Sequence, residues 1–143
     1  MKMELMEIKT LIAEGYERTA KVFIPGKNKS LWCHFIQHDE YIEAGKESAK
    51  LKKGDRIGGK FSIQLVTIFT LLDNAETPGF TQPINESPHI VAAGEVKEII
   101  DEYSCLCDFG WLGEAVPVEF EDSVTIKPGT KIKVRGSLEL ELD

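Results

Sequence analysis

Two thiols stand two residues apart in Ser104-Cys105-Leu106-Cys107-Asp108, and on an extended strand that spacing turns both to one face, with Leu106 opposite. Such a pair could hold a metal ion with help from Cys33, His34, His38 or His89 elsewhere in the chain. A structural zinc site, however, draws on Cys-x2-4-Cys pairs, and the chain offers no second pair. The thiols are expected to act as small hydrophobic groups in a core. No metal ligand and no cofactor is assigned, and metal at Cys105 and Cys107 is carried as an alternative. His34 and His38 would share a helix face, but their segment reads as a strand running into a loop.

Gly54-Asp55-Arg56-Ile57-Gly58-Gly59-Lys60 matches the first seven positions of a phosphate-binding loop, Gly-x4-Gly-Lys. The next position needs Ser or Thr for magnesium and holds Phe61, and the residues that follow read as strand where a helix is required. A turn feeding a strand explains the glycines better. Carboxylates are plentiful in the second half, yet Glu139 and Glu141 alternate with leucines and so line a solvated face, where charge also deters edge-to-edge pairing. No Ser or Cys stands beside a His in a nucleophile elbow. No catalytic residue is assigned, and the chain reads as a binding protein rather than an enzyme.

For binding, the first half holds cations at Lys27, Lys29, Lys53, Arg56 and Lys60, with Trp32 among them. Lysines that release counterions from phosphates, beside rings that stack on bases, are what a single-strand nucleic-acid binder needs. Charge opposes this. The chain carries −7 overall; residues 1–72 hold 12 Lys and Arg against 9 Asp and Glu, and residues 73–143 hold 5 against 15. Nucleic acid is thereby disfavoured unless its path is confined to one face, and the same lysines also suit a solvated rim around a core Trp32. Trp111 and Leu112, bracketed by Gly110 and Gly113, form a second candidate surface: an aromatic on a loop tip can anchor a protein partner, or fold back as a plug.

The elements that must position these residues are strands. Lys127 to Leu142 alternates, with Ile132 and Val134 on one face and Leu138, Leu140 and Leu142 resuming after Gly136. Lys53 to Leu65 repeats the plan, with Gly54, Arg56, Ile57, Lys60, Ser62 and Ile63 echoing Gly129, Lys131, Ile132, Arg135, Ser137 and Leu138. Between these lie a hairpin over Thr19 to Gln37 around Pro25-Gly26, a segment at 39–49 that allows one short helix, and a long strand from Arg56 to Leu72. Later come strands over Val91 to Ile100, Tyr103 to Phe109 and Ala115 to Phe120. Residues 5–72 and 90–143 form two similar halves, joined by the Pro- and Gly-rich stretch 73–89. At 143 residues a single domain with one shared core is expected, because halves of this size are marginal alone.

No apolar run approaches the roughly 20 residues that span a bilayer, so no membrane partner is expected. The start alternates acid with apolar residues and lacks the apolar core of a signal peptide, and three cysteines make no paired disulfide framework; both point to a cytoplasmic protein.

The order of a Gly-x-Val strand, hairpin, short strand, turn and closing strand, carried by Gly94, Val96, Gly129, Ile132, Val134, Gly136 and Leu138, resembles the oligonucleotide/oligosaccharide-binding (OB) barrel. The resemblance implies an all-β, antiparallel OB-like barrel, and that fold hosts many functions. The expected function is a non-catalytic β-barrel interaction module, binding protein or a second copy of itself. The alternatives are a single-strand nucleic-acid binder using the basic half, and a small enzyme or metal protein built around Cys105 and Cys107.

Overall fold

The computed structural model describes residues 4–73 and 77–142. Met1 to Met3 of the start and residues 74–76 of the joint lie outside the described residues. Nine strands follow in order: β1 (Glu4–Glu14), β2 (Glu17–Ile24), β3 (Lys29–Ile36), β4 (Arg56–Leu71), β5 (Gly79–Thr81), β6 (His89–Asp101), β7 (Ser104–Asp108), β8 (Val116–Phe120) and β9 (Lys131–Leu142). The only helical pieces among the described residues are two 3-10 turns, Pro25–Lys27 and Gly110–Leu112. None is long and apolar enough to cross a membrane.

The molecule is therefore nearly all-β, and its strands join in one nine-stranded sheet of order β1-β2-β3-β9-β4-β8-β7-β6-β5. Two further pairings, β1 with β4 and β9 with β6, close this order into circuits. The sheet is mostly antiparallel, as expected, with two parallel contacts, β3 with β9 and β4 with β8. The cause is the length of β4 and β9: each runs past its hairpin-like neighbours and meets a second set of strands.

The helix allowed at 39–49 does not form. Gly45 sits at φ 85, in the left-handed region that breaks a helix. The Glu40 carboxylate instead takes the Ser48 hydroxyl and the Ala49 amide (2.8 Å), binding the segment as a loop.

Two compact units divide the chain: unit 1 comprises Met1–Lys60, Ile84–Pro88 and Glu139–Asp143, and unit 2 comprises Phe61–Pro83 and His89–Leu138. Within unit 1 the circuit is β1, β2, β3, the end of β9 and the start of β4. Its interior gathers Met6, Ile8, Ala20, Val22, Leu31, Cys33 and Phe35, all at most 2% exposed. Inside this unit Arg18 is fully buried, donating from Nη1 to the carbonyls of Gly15 and Glu17 (both 3.0 Å) and from Nη2 to the Glu40 carbonyl (2.7 Å) and carboxylate (3.2 Å). Buried charge is tolerated only when so paired.

Within unit 2 the circuit is β6, β7, β8, the end of β4 and the start of β9, with β5 added along β6. Ile63, Ile90, Ala92, Val96, Phe109, Val118, Ile132 and Val134 fill it, each fully buried. Close backbone approach is built in at Gly136, where a Cβ would lie 2.6 Å from the Gln64 carbonyl oxygen. In unit 1 the Gly54 amide donates to Ile8 and the Ile8 amide to Asp55; in unit 2 the Gly129 amide donates to Val96 and the Val96 amide to Thr130. Gly54 and Gly129 both hold φ above 85, a conformation open to glycine.

Candidate functional site

In unit 1, β2 and β3 pair with strict alternation, which decides where each side chain goes. Ala20, Val22, Leu31 and Cys33 are buried, so Thr19, Lys21, Phe23, Ser30, Trp32 and His34 stand on the outer face. Register sets Trp32 opposite Lys21, Phe23 opposite Ser30 and His34 opposite Thr19. A β-bulge leaves Lys9 without an opposite residue on β2, and its ammonium comes 5.5 Å from the centre of the Phe23 ring while pairing with Glu7 at 2.8 Å. The result is a half-buried face of two aromatic rings interleaved with two lysines. Lys21 is in none of the ion pairs formed among the described residues.

At the rim of this face His34 lies between two carboxylates, Nδ1 2.7 Å from Glu139 and Nε2 3.2 Å from Glu17. The Glu139 hydrogen bond is the main reason that its pKa is raised. Position 139 is also where β9 pairs with β3 in parallel register, so this contact fastens the end of the chain onto the face.

The strands that hold the same places in the unit 2 circuit carry a different surface. β7 turns Ser104, Leu106 and Asp108 outward between buried Cys105 and Cys107, and β8 turns Pro117 and Glu119 outward. No aromatic ring and no cation stands among these five.

Of the residues singled out by sequence, Trp32 joins the face. Lys27 sits in the 3-10 turn and Lys29 opens β3 opposite Ile24, both at the hairpin end. Arg56 opens β4 opposite Glu7, whose pKa it helps to lower after Lys9; Lys53 lies in the preceding turn and Lys60 is exposed further along β4. Trp111 and Leu112 lie apart from these, in unit 2. The Trp111 ring packs at 5.4 Å against Phe80, half-buried, and Leu112 is 3% exposed, so the loop folds back on its own unit. Lys9, Lys21 and Phe23 were missed by sequence reading, although the alternation of Ala20, Val22 and Ile24 marks the outward set.

Cys105 and Cys107 point into the unit 2 core with sulfurs 3.6 Å apart; the contact lowers the Cys105 pKa and, with burial, raises that of Cys107. Among the described residues no group of three or more His, Cys, Asp or Glu side chains stands together in a metal-holding arrangement. In Gly54 to Lys60 a left-handed Gly54 and Asp55 precede β4, which begins at Arg56, so the last five positions of the phosphate-loop pattern lie on a strand. Unit 1 holds 12 Lys and Arg against 13 Asp and Glu, because Glu86, Glu139, Glu141 and Asp143 join it; unit 2 holds 5 against 11. Comparison with models of known protein families, with curated proteins and with solved structures finds no match.

Proposed function

We propose that the protein is a non-catalytic binding module of two similar halves, each circuit an OB-like barrel, and that it takes single-stranded oligonucleotide across the outer face of β1, β2 and β3. Three observations support the barrel reading. Each circuit has five strands with one parallel contact at the same step of its order, between the third strand and the fourth: β3 with β9 in unit 1 and β8 with β4 in unit 2. The same pair of backbone hydrogen bonds recurs at Gly54 and Gly129. The strands that close the two circuits, β4 onto β1 and β9 onto β6, begin within the matching runs at Gly54 to Ile63 and Gly129 to Leu138.

The observation that carries the ligand reading is the outward Trp32 with Lys21 opposite and Phe23 two residues along the neighbouring strand. Rings so spaced give successive bases a stacking platform, and a lysine between them meets the connecting phosphate. The reading is confined to one face because unit 1 as a whole is close to neutral, so affinity is expected to be modest and salt-sensitive. Glu7, Glu17 and Glu139 border the face and limit the path to its centre. Free thiols at Cys33, Cys105 and Cys107 suit a reducing compartment, and the protein is read as cytoplasmic.

Fluorescence anisotropy with a labelled poly-dT strand of about ten nucleotides tests this. Binding is expected at low salt, weakening as salt rises. Trp32→Ala costs one stack of about 1–3 kcal/mol, or about fivefold to 150-fold in Kd. Lys21→Gln lowers the salt slope by about 0.7. No binding at low salt, or wild-type affinity in Trp32→Ala, overturns the proposal.

A further inference from the structure

The outer surface of unit 2 along β8, β4 and β9 has an order of its own. Val118 and Phe120 of β8 are buried against Ile63 and Val66 of β4, so Glu119 stands outward, and the Glu121 amide donates to the Val66 carbonyl at 2.9 Å. Both glutamates are exposed. On the other flank Val134 and Gly136 of β9 are buried, so Lys133 and Arg135 stand outward and exposed. They lie alongside the same stretch of β4, since Gly136 lies against Gln64 and the Leu72 amide donates to the Lys131 carbonyl.

Between the two stripes β4 carries exposed apolar side chains. Leu65 is 63% exposed and held at φ 59, a left-handed conformation costly for a branched residue, which interrupts the alternation and leaves its side chain in solvent. Ile68 is 58% exposed, beside Phe69, whose ring packs on Phe120 at 5.5 Å between ring centres. None of Glu119, Glu121, Lys133 and Arg135 has an ion-pair partner among the described residues.

An acidic stripe, an apolar ridge and a basic stripe in that order form a self-complementary surface. A two-fold axis running along the ridge lays ridge on ridge and puts the acidic stripe of each copy on the basic stripe of the other. An axis across the ridge would oppose like charges. The geometry points to a homodimer formed through this face, with Leu65 and Ile68 at its centre and Glu119 and Glu121 of one copy meeting Lys133 and Arg135 of the other. The dimer is independent of the oligonucleotide face. Its rim charges make it weaken with salt.

Sedimentation equilibrium on the full chain at low salt is expected to show a monomer–dimer equilibrium. Lys133→Glu with Arg135→Glu makes both stripes acidic, and Glu119→Lys with Glu121→Lys makes both basic; each variant alone is expected to be monomeric. An equal mixture of the two is expected to dimerise again. Far-UV circular dichroism checks that each variant is folded, and if either fails, Ile68→Ser, which leaves all charges in place, is expected to shift the equilibrium to monomer. A wild-type protein that stays monomeric across the concentration range, a folded charge variant or Ile68→Ser that dimerises like wild type, or a mixture of folded variants that stays monomeric, overturns the inference.

Discussion

At the scale of single residues, His34 and Arg18 show how charge is handled in unit 1. Arg18 is wholly buried, yet its guanidinium meets three carbonyls and a carboxylate. Nothing in Glu17-Arg18-Thr19 announces this, because a long cation on a strand ordinarily goes to solvent, and its acceptors come from Gly15 and from Glu40, distant in sequence. His34 is more exposed. Its folded pKa is raised by the Glu139 hydrogen bond, so the stabilising contact is fully present below the unfolded value of about 6.5 and is lost as pH rises through the folded one. Thermal unfolding of wild type is therefore expected to lose stability relative to His34→Gln as pH is raised from about 6.5 into the alkaline range. A pH-independent difference between the two proteins would remove the imidazolium from the account. Trp32 was legible as a candidate because it stands among the lysines of the first half; its choice of outer face over core was not, since an isolated indole suits either.

At the scale of elements, β4 and β9 organise the molecule, and both could be read from alternation and from the Gly-then-cation opening that they share. Their partners could not. Parallel contact of β3 with β9 and of β4 with β8 depends on how far each long strand overshoots its hairpin, a quantity that no local pattern encodes. The 39–49 segment misled for a physical reason: Tyr41, Ile42 and Ala44 are spaced for a helix, while Glu40 spends its carboxylate on Ser48 and the Ala49 amide and a left-handed Gly45 ends the run. The approach of β4 to β9 makes a direct prediction. Gly136→Ala sets a methyl carbon 2.6 Å from the Gln64 carbonyl oxygen and 2.9 Å from Ile63 and Val66 side chains. Denaturant unfolding is expected to show a loss of about 1–3 kcal/mol, the range for overpacking in a filled core. Unchanged stability would mean that the strands part more easily than the packing implies.

At the scale of the whole molecule, charge and aromatic content are distributed by face rather than by half. The basic character read in residues 1–72 disappears when Glu86 and the C-terminal acids join unit 1, leaving 12 cations against 13 anions, and what persists is local: Lys9 and Lys21 among Phe23 and Trp32. The matching strands of unit 2 present Leu106, Asp108, Pro117 and Glu119, so two circuits of similar plan offer different outer surfaces. On the proposed reading, unit 1 carries the ligand face and unit 2 the face for assembly. The measurement that bears most directly on the proposal is a nuclear magnetic resonance titration of labelled protein with a poly-dT strand of about ten nucleotides. The account expects the Trp32 indole and the amides of Lys21, Phe23 and His34 to shift together and saturably, with Leu106, Asp108 and Glu119 unmoved; shifts confined to unit 2, or none at low salt, would contradict it.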